Sequence, residues 1–211
     1  MTLDKELKEA ISRLPSKEKD KLIFRLLKKD ESLAKRIYFE LVSGDTVEFC
    51  REKAKKNIDW QIEQSRKYAN YMSPGIILMD MRQTVGYVND HVKTTKDKYG
   101  EVALMLHIVK AFLKIYRDNF QNRYNNKGYT LHIYFIAKLF KILILLRKMN
   151  EDYMIDFIDD LEQIGRTMGE IPNLMQVAIH NEFNPNWLFD NQIPENIAEI
   201  EKNLRKRGYL K

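Results

Sequence analysis

Cysteine, glycine and proline are scarce in this chain of 211 residues. A single cysteine, Cys50, excludes an intramolecular disulfide, and no apolar segment of the secretory type follows Met1. We therefore expect a cytoplasmic protein in which Cys50 is a small packing residue. With 8 Gly and 5 Pro, the chain has too few turn residues for the tight reversals of an all-β sandwich or barrel. Helix is the expected structure.

Long hydrophobic runs are also lacking, with one exception at residues 131–146. This run is shorter than the ~20 residues that span a bilayer, and it carries Lys138 and Lys141 in its middle, where charges are costly in lipid. The run therefore predicts a buried helix and no membrane span.

Apolar residues recur at three- and four-residue spacing along nearly the whole chain, which indicates amphipathic helices. About ten helices with short connections predict an all-α fold. Two architectures fit the pattern: a multi-helix bundle, or a short α-solenoid of HEAT-like stacked helix pairs, in which residues 74–127 and 130–168 would each form one pair.

Two regions differ in helix length. Residues 1–44 predict a segment of three short helices, near 3–13, 17–29 and 31–43, and residues 45–211 predict the main helical body. We expect the two regions to form one compact unit. The main body begins with a long helix from residue 45 to about 72, where Asp45 and Glu48 resemble a capping box.

Boundaries within the main body follow from turn-forming residues. A helix is predicted from residue 74 to about 92, a polar loop over 93–100, and a helix over 101–125 that ends at the Asn-Asn-Lys-Gly sequence 125–128. Thr130 is expected to cap a nearly all-apolar helix to residue 149. Further helices are predicted over 151–168, 172–183 and 194–207.

Charge is divided unevenly along the chain. Residues 68–150 hold 13 Lys and Arg against 5 Asp and Glu, whereas residues 151–211 hold 6 against 12. Such segregation of charge points to partners and not to chemistry.

Catalytic and metal-binding spacings are missing. None of the four histidines has a second ligand-type residue three or four positions away, so no metal or cofactor is predicted. The carboxylates between 152 and 162 lie opposite an apolar stripe and predict a solvated helix face. An enzyme would need a site assembled from distant helices around His91, His180 or the carboxylates 156–160, and we rank this third.

A basic stripe on the helix over 101–125 supplies an alternative function. Lys110, Lys114 and Arg117 lie opposite the apolar side of that helix, and Arg123 follows past the end of this stripe. Lysine and arginine beside aromatic rings are what nucleic-acid binding requires, so RNA or DNA backbone binding is the second hypothesis. A plain solvated face explains the same stripe and is favoured.

Two further features suggest a protein partner. Lys138 and Lys141 share one side of the apolar helix, where they could line a groove for an acidic peptide or pair with the acidic helix 151–168 of the same chain. We favour the intramolecular pairing. Trp187 and Phe189 lie in an apolar loop and could anchor a partner, although such a loop more often covers its own core.

These observations predict a non-catalytic helical interaction module that binds a protein or peptide partner. Its candidate contact residues are Trp187, Phe189, Lys138 and Lys141. No catalytic residue is predicted.

Overall fold

Helices form the regular structure of this protein. The computed structural model describes residues 4–121, 126–189 and 192–211, and within these ranges there is no β-strand. The all-α prediction is therefore confirmed. In chain order the α-helices are α1 (Lys5–Arg13), α2 (Ser16–Lys29), α3 (Glu31–Leu41), α4 (Val47–Tyr68), α5 (Pro74–Thr95), α6 (Lys98–Ile115), α7 (Arg117–Gln121), α8 (Asn126–Leu146), α9 (Glu151–Met154), α10 (Ile158–Gly169), α11 (Pro172–His180) and α12 (Ile197–Lys206). Short 3-10 turns occupy Ala69–Tyr71, Ile155–Phe157 and Pro185–Leu188.

Three long helices, α5, α6 and α8, form the centre of a bundle because each packs against the other two. Helices α3 and α4 lie on α5, α10 lies on α6, and α11 and α12 lie on α8. In a solenoid each repeat would contact only its neighbours. The HEAT-like stacking is therefore not confirmed, and the fold is a multi-helix bundle.

Helix α8 is the most apolar element of the bundle. By length and composition alone, Gly128–Leu146 could cross a membrane, but 56% of that segment is buried against the rest of the protein, as in the core helix of a bundle. Its buried side chains include Phe135, Phe140 and Leu143. Across the described residues there is no clear membrane span.

The connection between α5 and α6 is shorter than its polar sequence predicts. The loop predicted over 93–100 is wrong, because α5 continues to Thr95 and α6 begins at Lys98. Lys96 ends α5 in the left-handed conformation, with φ of 60°, and Asp97 caps α6 by accepting a hydrogen bond from the Gly100 N–H at 2.8 Å. Two residues with these conformations reverse the chain, so polar residues on either side remain helical.

Other predicted boundaries also change. The helix predicted over 101–125 ends at Ile115, because Tyr116 leaves helical geometry, and α7 follows. Residues 126–128 and Thr130 lie inside α8, so the predicted helix end at 125–128 and the Thr130 cap are wrong. Thr46, and not Asp45, caps α4 by accepting from the Phe49 N–H at 3.1 Å. The helix predicted over 151–168 is interrupted by the 3-10 turn.

The first three helices contribute nothing to the buried core. No residue of α1, α2 or α3 is buried, whereas the described core cluster extends from Ala54 to Leu210. Helix α3 nevertheless packs against α5. The division into residues 1–44 and 45–211 stays a prediction.

Candidate functional site: a basic groove beside α8

A groove of about 620 Å³ lies between α5, α8, α12 and the end of the chain. Ile144, Leu145 and Leu210 give it an apolar wall. We call it the basic groove after its five cationic lining residues, Arg82, Lys138, Lys141, Arg205 and Lys211. Its other polar lining residues are Thr130, Tyr134 and Glu201. Tyr134, Lys138 and Lys141 come from α8 at spacings of four and three residues, which places them on one side of the helix.

Tyr134 forms an aromatic platform in the basic groove. The Lys138 Nζ lies 4.6 Å from the centroid of the tyrosine ring, and the Arg82 Cζ lies 5.3 Å from the same centroid. Both distances are within the range of cation–π attraction. One ring therefore holds two cations that come from different helices.

Lys141 is neutralised inside the protein. Its Nζ lies 2.8 Å from Oε1 of Glu101, whose side chain is 7% exposed, and the Lys98 Nζ lies 3.1 Å from Oε2 of the same carboxylate. Burial alone would raise the pKa of Glu101, but the hydrogen bonds from the two lysines outweigh burial and lower it. The predicted pairing with the acidic helix 151–168 is therefore wrong for Lys141, because α8 faces α6 and not α10 at this point.

Lys138 has no carboxylate within 4 Å in the described part of the chain, so the predicted pairing is wrong here too. Burial, followed by repulsion from Lys141, Arg205 and Arg82, lowers the pKa of Lys138 to about 8. Removing an ammonium group from water without a counter-ion costs free energy. Lys138 is thus a poorly compensated cation, and an anion in the groove would stabilise its charged form.

The basic stripe on α6 is placed differently. Lys110, Lys114 and Arg117 line a second groove, of about 510 Å³, between α6 and α10. Lys110 pairs with Asp160, and Arg117 pairs with Glu170 at 2.8 Å. Arg123 lies outside the described residues. Internal pairing of two of the four predicted cations leaves less positive charge for a phosphate backbone, and nucleic-acid binding stays a prediction.

The aromatic loop covers the core of its own chain. The Trp187 ring makes edge contacts with Phe183 and Phe140, at centroid distances of 5.6 and 5.9 Å. Phe189 lies directly over Gly165, where an added Cβ would be 2.6 Å from the Phe189 Cζ. Both side chains are partly buried against the core. Binding of a partner by these two residues stays a prediction, and their rings already have contacts.

A buried charged cluster joins α4, α5 and α6. Oδ2 of Asp97 lies 2.6 Å from the Arg51 Nε and 3.0 Å from the His91 Nε2. The side chains of Asp97 and His91 are 4% and 2% exposed and have little access to solvent, whereas that of Arg51 is 21% exposed. We call this the Asp97 cluster. Because Asp97 also caps α6, the cluster has a structural explanation.

A second buried network centres on Asp80 of α5. Its carboxylate accepts hydrogen bonds from Gln61 at 2.6 Å, from Ser65, and from the Tyr116 hydroxyl at 3.3 Å. Burial, together with the nearby Asp80 charge, raises the pKa of Tyr116. No buried side-chain polar atom in the described residues lacks a partner. The network joins α4, α5 and α6, and none of the described grooves reaches it.

The residues named for a possible enzyme have different direct partners. His91 belongs to the Asp97 cluster, His180 lies beside Tyr209, and Asp156 accepts from the Tyr99 hydroxyl at 3.1 Å. No group of three or more His, Cys, Asp or Glu suited to a metal ion occurs among the described residues. Comparisons with protein-family models, curated proteins and solved structures find no match to this chain.

Sequence reasoning found the α8 half of the basic groove and missed the remainder. Arg82 is an isolated cation on α5, whereas Arg205 is one of several cations near the end of α12, and nothing in their local sequence distinguishes them from other surface arginines. The packing of α5 and α12 against α8 brings them to Lys138.

Proposed function

We propose that this protein is a non-catalytic interaction module whose basic groove binds an acidic segment of a protein partner. The observation that carries the proposal is Lys138, a half-buried lysine that forms no ion pair with a carboxylate of the described residues and is repelled by Lys141, Arg205 and Arg82. Proteins rarely bury a charge without a partner. An incoming carboxylate would supply the counter-ion that the fold itself does not.

The lining of the groove suits a peptide that combines acidic and apolar side chains. Arg82 and Lys138 provide positive charge over the Tyr134 ring, while Ile144 and Leu145 provide apolar surface beside them. Electrostatic complementarity of this kind sets specificity and the association rate, and apolar contact adds affinity. The lining of the groove also contains one acidic residue, Glu201, which forms an ion pair with Arg205. Arg82 and Lys138 are therefore the two cations that face a ligand without an acidic competitor.

Charge reversal at Lys138 tests the proposal. We expect Lys138→Glu to weaken binding of a short fluorescent peptide of glutamate and leucine by at least about tenfold, because it replaces an attraction with a repulsion. Lys114→Glu makes the same charge change in the groove between α6 and α10 and should alter affinity by less than about twofold. Fluorescence anisotropy at low salt measures both, and circular dichroism confirms that each variant is folded.

Equal losses of affinity in the two variants would show a diffuse charge effect and contradict a specific groove. Absence of peptide binding by the unaltered protein at low salt would also contradict the proposal. A labelled RNA titrated in parallel tests the alternative: tight RNA binding that Lys114→Glu weakens and Lys138→Glu leaves intact would favour the stripe on α6.

A further inference from the structure

Lys138 is placed to react as well as to bind. We propose that its amine condenses with the carbonyl group of a small anionic aldehyde or 2-oxo acid held in the basic groove, forming a Schiff base. The inference rests on the anion affinity of the groove that the proposed function describes. It adds a chemical class of ligand, a carbonyl compound with a carboxylate, and a covalent bond.

The surroundings of Lys138 favour the neutral amine. The side chain is half-buried, no carboxylate in the described residues pairs with it, and cations approach it from α5, α8 and α12. A lysine amine is a nucleophile only when it is unprotonated, and burial beside another cation is a recurring way to achieve this near neutral pH. The pKa of about 8 agrees with that geometry.

The same cations can hold the substrate. The Arg82 Cζ and the Lys138 Nζ lie 5.3 and 4.6 Å from the centroid of the Tyr134 ring, so a carboxylate that contacts the Arg82 guanidinium is held in the same groove as the amine. Arginine recognises carboxylates through paired N–H groups. The groove volume of about 620 Å³ exceeds what a molecule of a few heavy atoms needs. Binding would raise the local concentration of the carbonyl group at the lysine.

The reaction balances without a further reagent. The nitrogen lone pair attacks the carbonyl carbon, a C–N bond forms, and the carbonyl oxygen takes up a proton to give a carbinolamine. The hydroxyl group then leaves as water. In total the two hydrogens of the neutral amine and the carbonyl oxygen are lost as one water molecule, and a C=N bond replaces the C=O bond.

Reductive trapping tests the inference. The full-length protein is incubated with glyoxylate and sodium cyanoborohydride, and peptide mass spectrometry gives the labelling rate at each lysine. We expect Lys138 to be labelled about tenfold faster than Lys141 at neutral pH, because more of its amine is unprotonated. Lys141 is the matched control, since it lies one turn away on α8 and is paired with Glu101. The Lys138 rate should rise with pH and level off above about 8.

Glycolaldehyde, which has no carboxylate, separates reactivity from recognition. The preference for Lys138 should fall several-fold with this neutral aldehyde, and also with glyoxylate after Arg82→Gln. A Lys138 rate no higher than that of Lys141, or an equal preference for both aldehydes, would overturn the inference. The groups that face Lys138 and could influence its pH profile are Arg82, Tyr134, Lys141, Arg205, Glu201 and Lys211.

Failure of this inference is distinguishable from failure of the proposed function. Slow labelling of Lys138 in a protein that still binds the acidic peptide would overturn the covalent step and leave the interaction module standing. Fast, glyoxylate-selective labelling in a protein that does not bind the peptide would support the Schiff base and contradict the peptide ligand. Lys138→Arg, which keeps the charge and removes the nucleophile, should bind the peptide and yield no adduct at residue 138.

Discussion

Replacing Asp97 by alanine is expected to destabilise the protein by about 3 kcal/mol, the largest effect of any single substitution considered. The carboxylate caps α6 through the Gly100 N–H, pairs with Arg51 and lies 3.0 Å from the His91 Nε2. Removal of one member of a buried charged group leaves its partners without compensation, and loss of an N-cap adds about 1 kcal/mol. Urea unfolding followed by circular dichroism measures the change. Asp90→Ala, at an exposed aspartate of α5, should change stability by less than about 0.5 kcal/mol.

The effect of Asp97 should depend on pH. Burial alone would raise the pKa of Asp97. Hydrogen bonds with His91 and Arg51 and from the Gly100 N–H outweigh burial and hold the pKa of Asp97 well below its usual value near 3.8. A carboxylate with a lowered pKa in the folded state contributes stability above its ordinary pKa, and this contribution is lost as the pH falls below that value. The stability difference between the unaltered protein and Asp97→Ala should therefore shrink below about pH 4. A constant difference down to pH 2 would contradict the ionised cluster.

Replacing Lys138 by methionine is expected to stabilise the protein while weakening its affinity for acidic peptides. Methionine has a similar length, keeps contact with Tyr134 and removes a charge that burial and neighbouring cations disfavour. We expect the melting temperature at pH 7 to rise by about 2–4 °C, which corresponds to ~1 kcal/mol for a domain of this size. Stability lost for the sake of a functional site is a common pattern in proteins. Differential scanning calorimetry measures the shift.

Lys141→Met is the matched control and should have the opposite sign. This substitution removes a hydrogen bond to the buried carboxylate of Glu101, so the melting temperature should fall by about 2–8 °C, or ~1–2 kcal/mol. The gain from Lys138→Met should also shrink between about pH 8 and the ordinary lysine pKa of 10.5, because the amine in the folded protein is then neutral already while the unfolded chain still binds the proton. A lower melting temperature for Lys138→Met would show that Lys138 is compensated within the fold.

Local sequence patterns predicted the type of fold because they depend on neighbouring residues alone. Three-to-four-residue spacing of apolar side chains identified the helices, including the one predicted near 31–43, which begins at Glu31 after Asp30 accepts a hydrogen bond from the Leu33 N–H at 2.9 Å. Polar composition was misleading at residues 93–100. The conformation of Lys96 and the cap at Asp97 shorten that turn to two residues. Neither the left-handed conformation of Lys96 nor the hydrogen bonds of Asp97 can be predicted from polar composition.

Prediction of the site failed where it depended on which helices are neighbours. The sequence places Lys138 and Lys141 on one side of α8, and we predicted from it that both lysines pair with the acidic helix 151–168. In the structure the acidic helix packs against α6, where Asp160 forms an ion pair with Lys110. Its described carboxylates therefore do not pair with Lys138 or Lys141. Lys138 and Lys141 then have opposite environments three residues apart, because Glu101 reaches one and not the other. Only tertiary packing distinguishes them.

Proton uptake on binding tests the central claim most directly, because it reports the charge of Lys138 itself. An anion that binds beside Lys138 raises the pKa of its amine, so binding of the acidic peptide near pH 8 should draw a proton from the buffer. Isothermal titration calorimetry in buffers of different ionisation enthalpy should give an uptake of up to about half a proton for the unaltered protein and none for Lys138→Arg, although both bind the peptide. Peptide binding without proton uptake, or with the same uptake in Lys138→Arg, would contradict the account.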